Sequence, residues 1–271
     1  MHLEPLCQQV IALAQETGQF LLEENRRFDR ANIEYKGINN LVSYVDRESE
    51  KRLVEGLNKI LPQAAFITEE DPNKQIKTNS EFHWIIDPLD GTTNFTHQLP
   101  VFSISIGLMQ GDQVVLGVIV EVNRNECFSA WQGGGAFLNG KPIRVSPTPE
   151  LQNSLLATGF PYRDFGKMHA YLDIIDELMR KTHGLRRMGS AAVDLAFVAC
   201  GRFEGFFEYN LSPWDVAAGS LIVQEAGGRV SDFSLGNDFV FGRQIIAAGN
   251  IHAAMQAIIY KHWKIAENLQ G

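Results

Sequence analysis

Cysteine is scarce in this chain, and its three copies do little together. Cys7, Cys127 and Cys200 are far apart and odd in number. They form neither a disulfide framework nor the close pairs that hold zinc. Long apolar runs are also missing: none approaches the ~18–20 residues that a bilayer span needs, so no membrane association is expected. Basic charge is short, with 24 Lys and Arg against 32 Asp and Glu and a net charge of −8. The basic residues gather only in small groups such as Arg26-Arg27 and Arg186-Arg187. A duplex-binding face needs a larger cluster, so nucleic acid is not expected as a primary ligand. The N-terminus lacks a basic start and a small-residue cleavage site, which argues against a signal peptide. A reducing cytoplasm is the expected location. No internal repeat or low-complexity linker interrupts the 271 residues.

What is present is a succession of short, well-punctuated elements. Leu3, Leu6, Val10, Leu13, Thr17 and Phe20 recur at helical spacing, which predicts an amphipathic helix at the start. Tyr35 to Asp46 reads as a loop and hairpin around "KGINN", and Asp46 is expected to open a second helix running to Ile60. "AAFITEED" and "FHWIIDPLD" read as short strands that end in acids. "SISIGLM", "QVVLGVIVEV" and "ECFSAWQ", divided by turn residues, predict an antiparallel meander that "WQGGGAFLNGKPIRVS" continues. The Pro147 and Pro149 pair marks the expected boundary. Residues 1–148 then form an α+β half carrying most of the acids, and 149–271 a more α/β half supplying Asp215. In the second half "SLLATGF", "FEGFFE" and "QIIAAG" read as strands. Lys167–Lys181, "SAAVDLAFVACG", "PWDVAAGSLIVQEAGG" and "HAAMQAIIYKHW" read as helices, the third with Pro at its start and Gly-Gly at its end.

Four acid sites fall at the ends of elements: Glu69-Glu70, Asp87, Asp90 and Asp215. Each alone has an ordinary reading. Asp46 and Asp90 could cap helices, and Asp215 could favour a helix N-terminus. The stretch "WIIDPLDGTTNF" resists that reading, because two acids and a helix start converge where an apolar strand ends. A buried carboxylate must be paired or bound to a metal. Carboxylates with the Leu89 carbonyl make an oxygen-only shell, which suits Mg²⁺ or Mn²⁺ rather than zinc. Gly91-Thr92-Thr93 adds a helix start whose N–H groups suit a phosphate, and Gly189-Ser190 is a second start of that type. Cations plus an anion cradle point to phosphoryl chemistry.

These residues resemble the inositol monophosphatases, within the Mg²⁺-dependent, lithium-sensitive phosphatase superfamily. "WIIDPLDGTTNF" is similar to that family's first signature and "WDVAAGSLIVQEAGG" to its second. "NLVSYVD", "ITEED", "TGFPY" and "RRMGSAAVDLAFVACGRFEGFFE" match in type and order, over nearly the whole chain. The resemblance implies a layered αβαβα sandwich like that of inositol monophosphatase and fructose-1,6-bisphosphatase. It also implies two or three bound Mg²⁺ ions. Glu69, Asp87 and the Leu89 carbonyl would hold one ion; Asp87, Asp90 and Asp215 would hold another. Glu69 with Thr92 would activate the attacking water, and the backbone of Asp90, Gly91 and Thr92 would cradle the phosphate. Gly189, Ser190, Ala191 and Glu208 would meet the substrate's hydroxyls, with Arg186 at the border and Lys36 and Asp46 nearby. Two positions depart from the family pattern: Thr68 stands where Gly is usual, and Ser43 where Thr is frequent.

The activity implied is hydrolysis of a small phosphorylated polyol, myo-inositol monophosphate foremost, by direct attack of water, in a homodimer. A fructose-1,6-bisphosphatase, a 3′-phosphoadenosine 5′-phosphate phosphatase, a histidinol-phosphatase and a regulatory binding protein that keeps the fold remain alternatives. Glu208 suits hydroxyls better than a second phosphate, which would call for Arg or Lys.

Overall fold

A computed structural model describes residues 1–28, 34–37, 40–42, 44–70, 80–161 and 165–270, without the side chains of 34–42 and 265–270. The amphipathic start forms α1 (Leu3–Arg27), followed by the hairpin β1 (Glu34–Gly37) and β2 (Asn40–Val42) and by α2 (Tyr44–Ile60). A seven-stranded sheet comes next in the chain. It contains β3 (Ala65–Thr68), β4 (Phe82–Asp90), β5 (Ser103–Gln110), β6 (Gln113–Glu121), β7 (Glu126–Trp131), β8 (Gly135–Leu138) and β9 (Lys141–Pro142), in that order across the sheet. Only β3 and β4 run parallel; from β4 onward the strands form the expected meander. A short helix, α3 (Thr92–Thr96), leaves the end of β4.

The second half builds a five-stranded mixed sheet. Its order is β11 (Gly184–Arg186), β10 (Leu155–Thr158), β12 (Gly205–Tyr209), β14 (Gln244–Ala248) and β13 (Arg229–Ser231). Its helices are α4 (Met168–Lys181), α5 (Ala191–Ala199), α6 (Pro213–Glu225) and α7 (His252–Gln270).

Buried apolar clusters separate five layers. α1 and α2 cover one face of the larger sheet through Leu6, Val10, Leu53, Leu57, Trp84 and Ile104. α5 and α6 fill the space between the sheets, with Ile119, Phe128, Val193, Phe206 and Ile222 in contact. α4 and α7 cover the far face of the smaller sheet through Tyr171, Ile174, Phe207, Met255 and Ile259. The layers are therefore α, β, α, β, α. Period-two alternation does the sorting: Val118 and Val120 face α1 while Ile119 faces the middle layer, and Phe206 and Phe207 take opposite sides of β12. α5 and α6 are buried along nearly their whole length, as helices packed on both sides must be. Among the described residues, no helix is long and apolar enough to cross a membrane.

α2 begins at Tyr44, two residues before the expected start. Asp46 therefore lies in the first helical turn and is not the capping residue. Ser43 falls outside the described residues, as does the side chain of Lys36.

Candidate active site

Asp87 and Asp90 are three positions apart, so a regular strand would aim them at opposite faces. A bulge prevents this. Asp87 pairs with Ser105 and Asp90 with Ser103, so β4 spends one residue more than β5 over the same stretch. A bulge resets the alternation and re-aims the side chain that follows it. Asp215 arrives from the first turn of α6. The carboxylates of Asp87, Asp90 and Asp215 each offer an oxygen within 4.8 Å of the others.

Each of these carboxylates is anchored by donors. The Leu89 N–H donates to Asp87 Oδ1 at 2.9 Å. Asp90 Oδ2 accepts from the Ser190 hydroxyl at 2.6 Å and from the Ala192 N–H at 2.8 Å. Asp90 thus binds the start of α5 rather than capping the short helix beside it, whose N-cap Gly91 takes no side-chain bond. The Ser212 N–H donates to Asp215 Oδ2 at 2.7 Å. The helix-terminus role foreseen for Asp215 is met, since it takes part in the capping box of α6, while Asp90 serves α5 and not the helix it was expected to cap.

All three carboxylates line one cleft of about 410 Å³. Glu69, Leu89, Gly91, Thr92, Gly189, Ser190, Ala191 and Glu208 line it as well. The structure therefore brings together every metal and phosphate residue expected from the sequence. Asp46 is 2% exposed and stands behind the wall; it accepts the Thr92 hydroxyl at 3.2 Å, a hydroxyl that also lies 3.1 Å from the Leu89 carbonyl. Arg186 is not among the lining residues: its guanidinium turns to the Leu185 carbonyl, and the adjacent Arg187 lines the cleft instead. Neighbours on an extended segment point oppositely, and a pair "RR" does not say which faces inward. Asp194, Asn210, Trp214 and Arg243 were not singled out from the sequence, yet they line the cleft. Of these only Asp194 carried a signal, as the sole charge in the apolar run "AAVDLAFVA".

The electrostatics are those of crowded, desolvated acids. Burial, then the charges of Glu69, Asp90 and Asp215, hold the Asp87 carboxyl well above its usual range. Burial, then Asp215 and Glu70, does the same to Glu69. Asp90 is pushed up to about 6 by burial, against the pull of its Ser190 and Ala192 bonds and of Arg187. Like charges held this close are costly unless protons or cations share them. An all-oxygen donor set fits Mg²⁺ or Mn²⁺, and among the described residues no cysteine or histidine lines the cleft.

Comparison with known proteins gives an independent view. The pattern of the Inositol monophosphatase family matches residues 2–267. Nus factor SuhB of Escherichia coli K12 is 40% identical over 247 residues, 91% of each chain. The extragenic suppressor protein suhB of Bartonella henselae has a similar structure, with a TM-score of 0.88 at 38% identity, covering 94% of this chain and 98% of that one. An inositol monophosphatase from Anabaena superposes with a TM-score of 0.85 at 35% identity, over 96% and 97% of the two chains.

Proposed function

Since the chain belongs to the inositol monophosphatase family, we propose that it is a Mg²⁺-dependent phosphoric monoester hydrolase whose substrate is myo-inositol monophosphate. The observation that carries this reading is the convergence of Asp87, Asp90 and Asp215 within 4.8 Å, at the mouth of a helix start. Glu69, Asp87, the Leu89 carbonyl, Asp90 and Asp215 would hold the cations. When bound, the cations neutralise phosphate charge and lower the pKa of a water toward neutrality.

The remaining work belongs to the chain. The Thr92 hydroxyl has the Asp46 carboxylate and the Leu89 carbonyl as its acceptors. Its hydrogen is thereby committed to the wall, which leaves a lone pair to receive a water. Glu69, lining the same cleft, stands ready to take the water's proton. The first-turn N–H groups of α3 have no intrahelical partners and suit the phosphate oxygens. Gly189 to Ala191 and Glu208 form the wall that meets the polyol. Water attacks phosphorus directly, with no covalent enzyme intermediate: Ser190, the hydroxyl nearest the acids, is committed to Asp90 and to the Val193 N–H. A homodimer in the cytoplasm belongs to the same reading.

The test is phosphate release with Mg²⁺ from inositol monophosphate, fructose 1,6-bisphosphate, 3′-phosphoadenosine 5′-phosphate and histidinol phosphate. Inositol monophosphate is expected to turn over best, with inhibition by millimolar Li⁺. Asp90→Asn should lose about 10²–10³-fold in kcat. Preference for a bisphosphate, or full activity after chelation, would overturn the assignment.

A second reading rests on the name Nus factor that the Escherichia coli relative carries: a protein that keeps this fold to bind a macromolecular partner. Absence of turnover on the whole panel, together with capture of a defined partner, would favour it.

A further inference from the structure

α5 is apolar from end to end except for Asp194. That residue is 1% exposed, and its Oδ1 accepts no hydrogen bond. A buried carboxyl in this condition is a cost to the fold. Helix α5 does not need it as a cap, because Ser190 already accepts the Val193 N–H. Yet Asp194 lines the cleft. The charges that act on it are those of Glu208, Asp90 and Arg187. All three of these residues line the same cleft. No step of the hydrolysis described above uses it.

We propose that Asp194 is a specificity residue. With Glu208 it forms a paired acceptor for two hydroxyls of the leaving group, so that the cleft selects phosphate esters of polyhydroxylated alcohols over alkyl and aryl esters. The inference rests on the hydrolase reading. Its physical basis is that a carboxylate only accepts hydrogen bonds, and a hydroxyl is the donor that a polyol brings. Two carboxylates lining one cleft repel each other and also repel an anion. They therefore disfavour a second phosphate there while rewarding neutral donors. A site built to bond a hydroxyl rejects an analogue lacking it, because the buried acceptor is then left unpaired.

The experiment uses the full chain and Asp194→Asn, which preserves shape and removes the charge. For myo-inositol monophosphate the variant should show KM raised about 10- to 100-fold with kcat little changed. Its kcat/KM on p-nitrophenyl phosphate, which offers no hydroxyl at the leaving group, should stay within about threefold of the parent. Its melting temperature should rise by about 2–4 °C, because an acid crowded by burial and by Glu208 and Asp90 has been replaced by a neutral group. A fall in melting temperature, an equal loss on both esters, or an unchanged KM for the inositol ester would each overturn the assignment. Should the parent protein hydrolyse none of these esters, the hydrolase reading fails by itself. Calorimetric titration with free myo-inositol in the presence of inorganic phosphate then decides the matter. Weaker binding by Asp194→Asn sustains the assignment, and equal or absent binding sinks it.

Discussion

A methyl group on Gly159 would fall on the Glu208 carboxylate. Glu208 can lie where it does only because residue 159 has no side chain. Gly159→Ala should therefore displace that carboxylate, raising KM for a polyol ester about tenfold while leaving the cation requirement as it was. Initial-rate kinetics over a Mg²⁺ series would check both halves of that statement. At this scale the acids were readable from the sequence, because a carboxylate ending an apolar strand has few ordinary explanations. Their partners were not. That Asp90 reaches Ser190 and Ala192, about a hundred positions away, is a matter of tertiary packing. The sequence marks Asp46 only as a candidate helix cap; its actual position in the first turn and its bond to Thr92 come from the fold.

Gly107 and Gly117 face each other across β5 and β6, and together they open a groove for α6. A Cβ on Gly117 would sit 2.6 Å from the Ala218 carbonyl oxygen, and one on Gly107 would sit 3.1 Å from the Ala217 Cβ. Backbone cannot swing aside as a side chain can. Gly117→Ala should push α6 off the sheet, costing about 1–3 kcal/mol of stability. It should also carry Asp215 away from Asp87 and Asp90, raising the Mg²⁺ concentration needed for half-maximal activity. A variant that melts earlier but keeps the parent's Mg²⁺ dependence would show that Asp215 does not depend on this packing. The long elements were legible from hydrophobic period and punctuation, and α6 also from its Pro213 start and the left-handed Gly227 just past its end. β11 and β13 were not, since three residues are too few to show an alternation. The bulge in β4 left only Pro88 as a trace.

Taken whole, the molecule keeps a knot of acids out of water on a chain that already carries net charge −8. Asp90 titrates near 3.8 when exposed and is pushed up to about 6 by burial in the fold. The folded form therefore holds its proton more tightly. Stability associated with that proton is complete at low pH and is lost as pH rises through about 6. Asp87 and Glu69 shift in the same direction. Divalent cations held by these carboxyls would reverse the trend by taking the proton's place, so the rise in melting temperature on adding Mg²⁺ should be larger at about pH 8 than at about pH 5. Equal rises at both would mean that these carboxyls do not bind the ion. The order of most helices and strands along the chain was readable from residue patterns. The stacking of the layers was not, because helices apolar on every side, such as α5, give no periodic sign of which sheet they face. The position of α6 between the sheets also has a consequence for the order of biosynthesis. A nascent chain carries Asp87 and Asp90 early, but the aspartate that completes their trio, and the helix that shields the larger sheet's inner face, emerge only with residues 213–225 of 271. Until then the growing polypeptide leaves that greasy surface uncovered, and two of the three acids wait for the third.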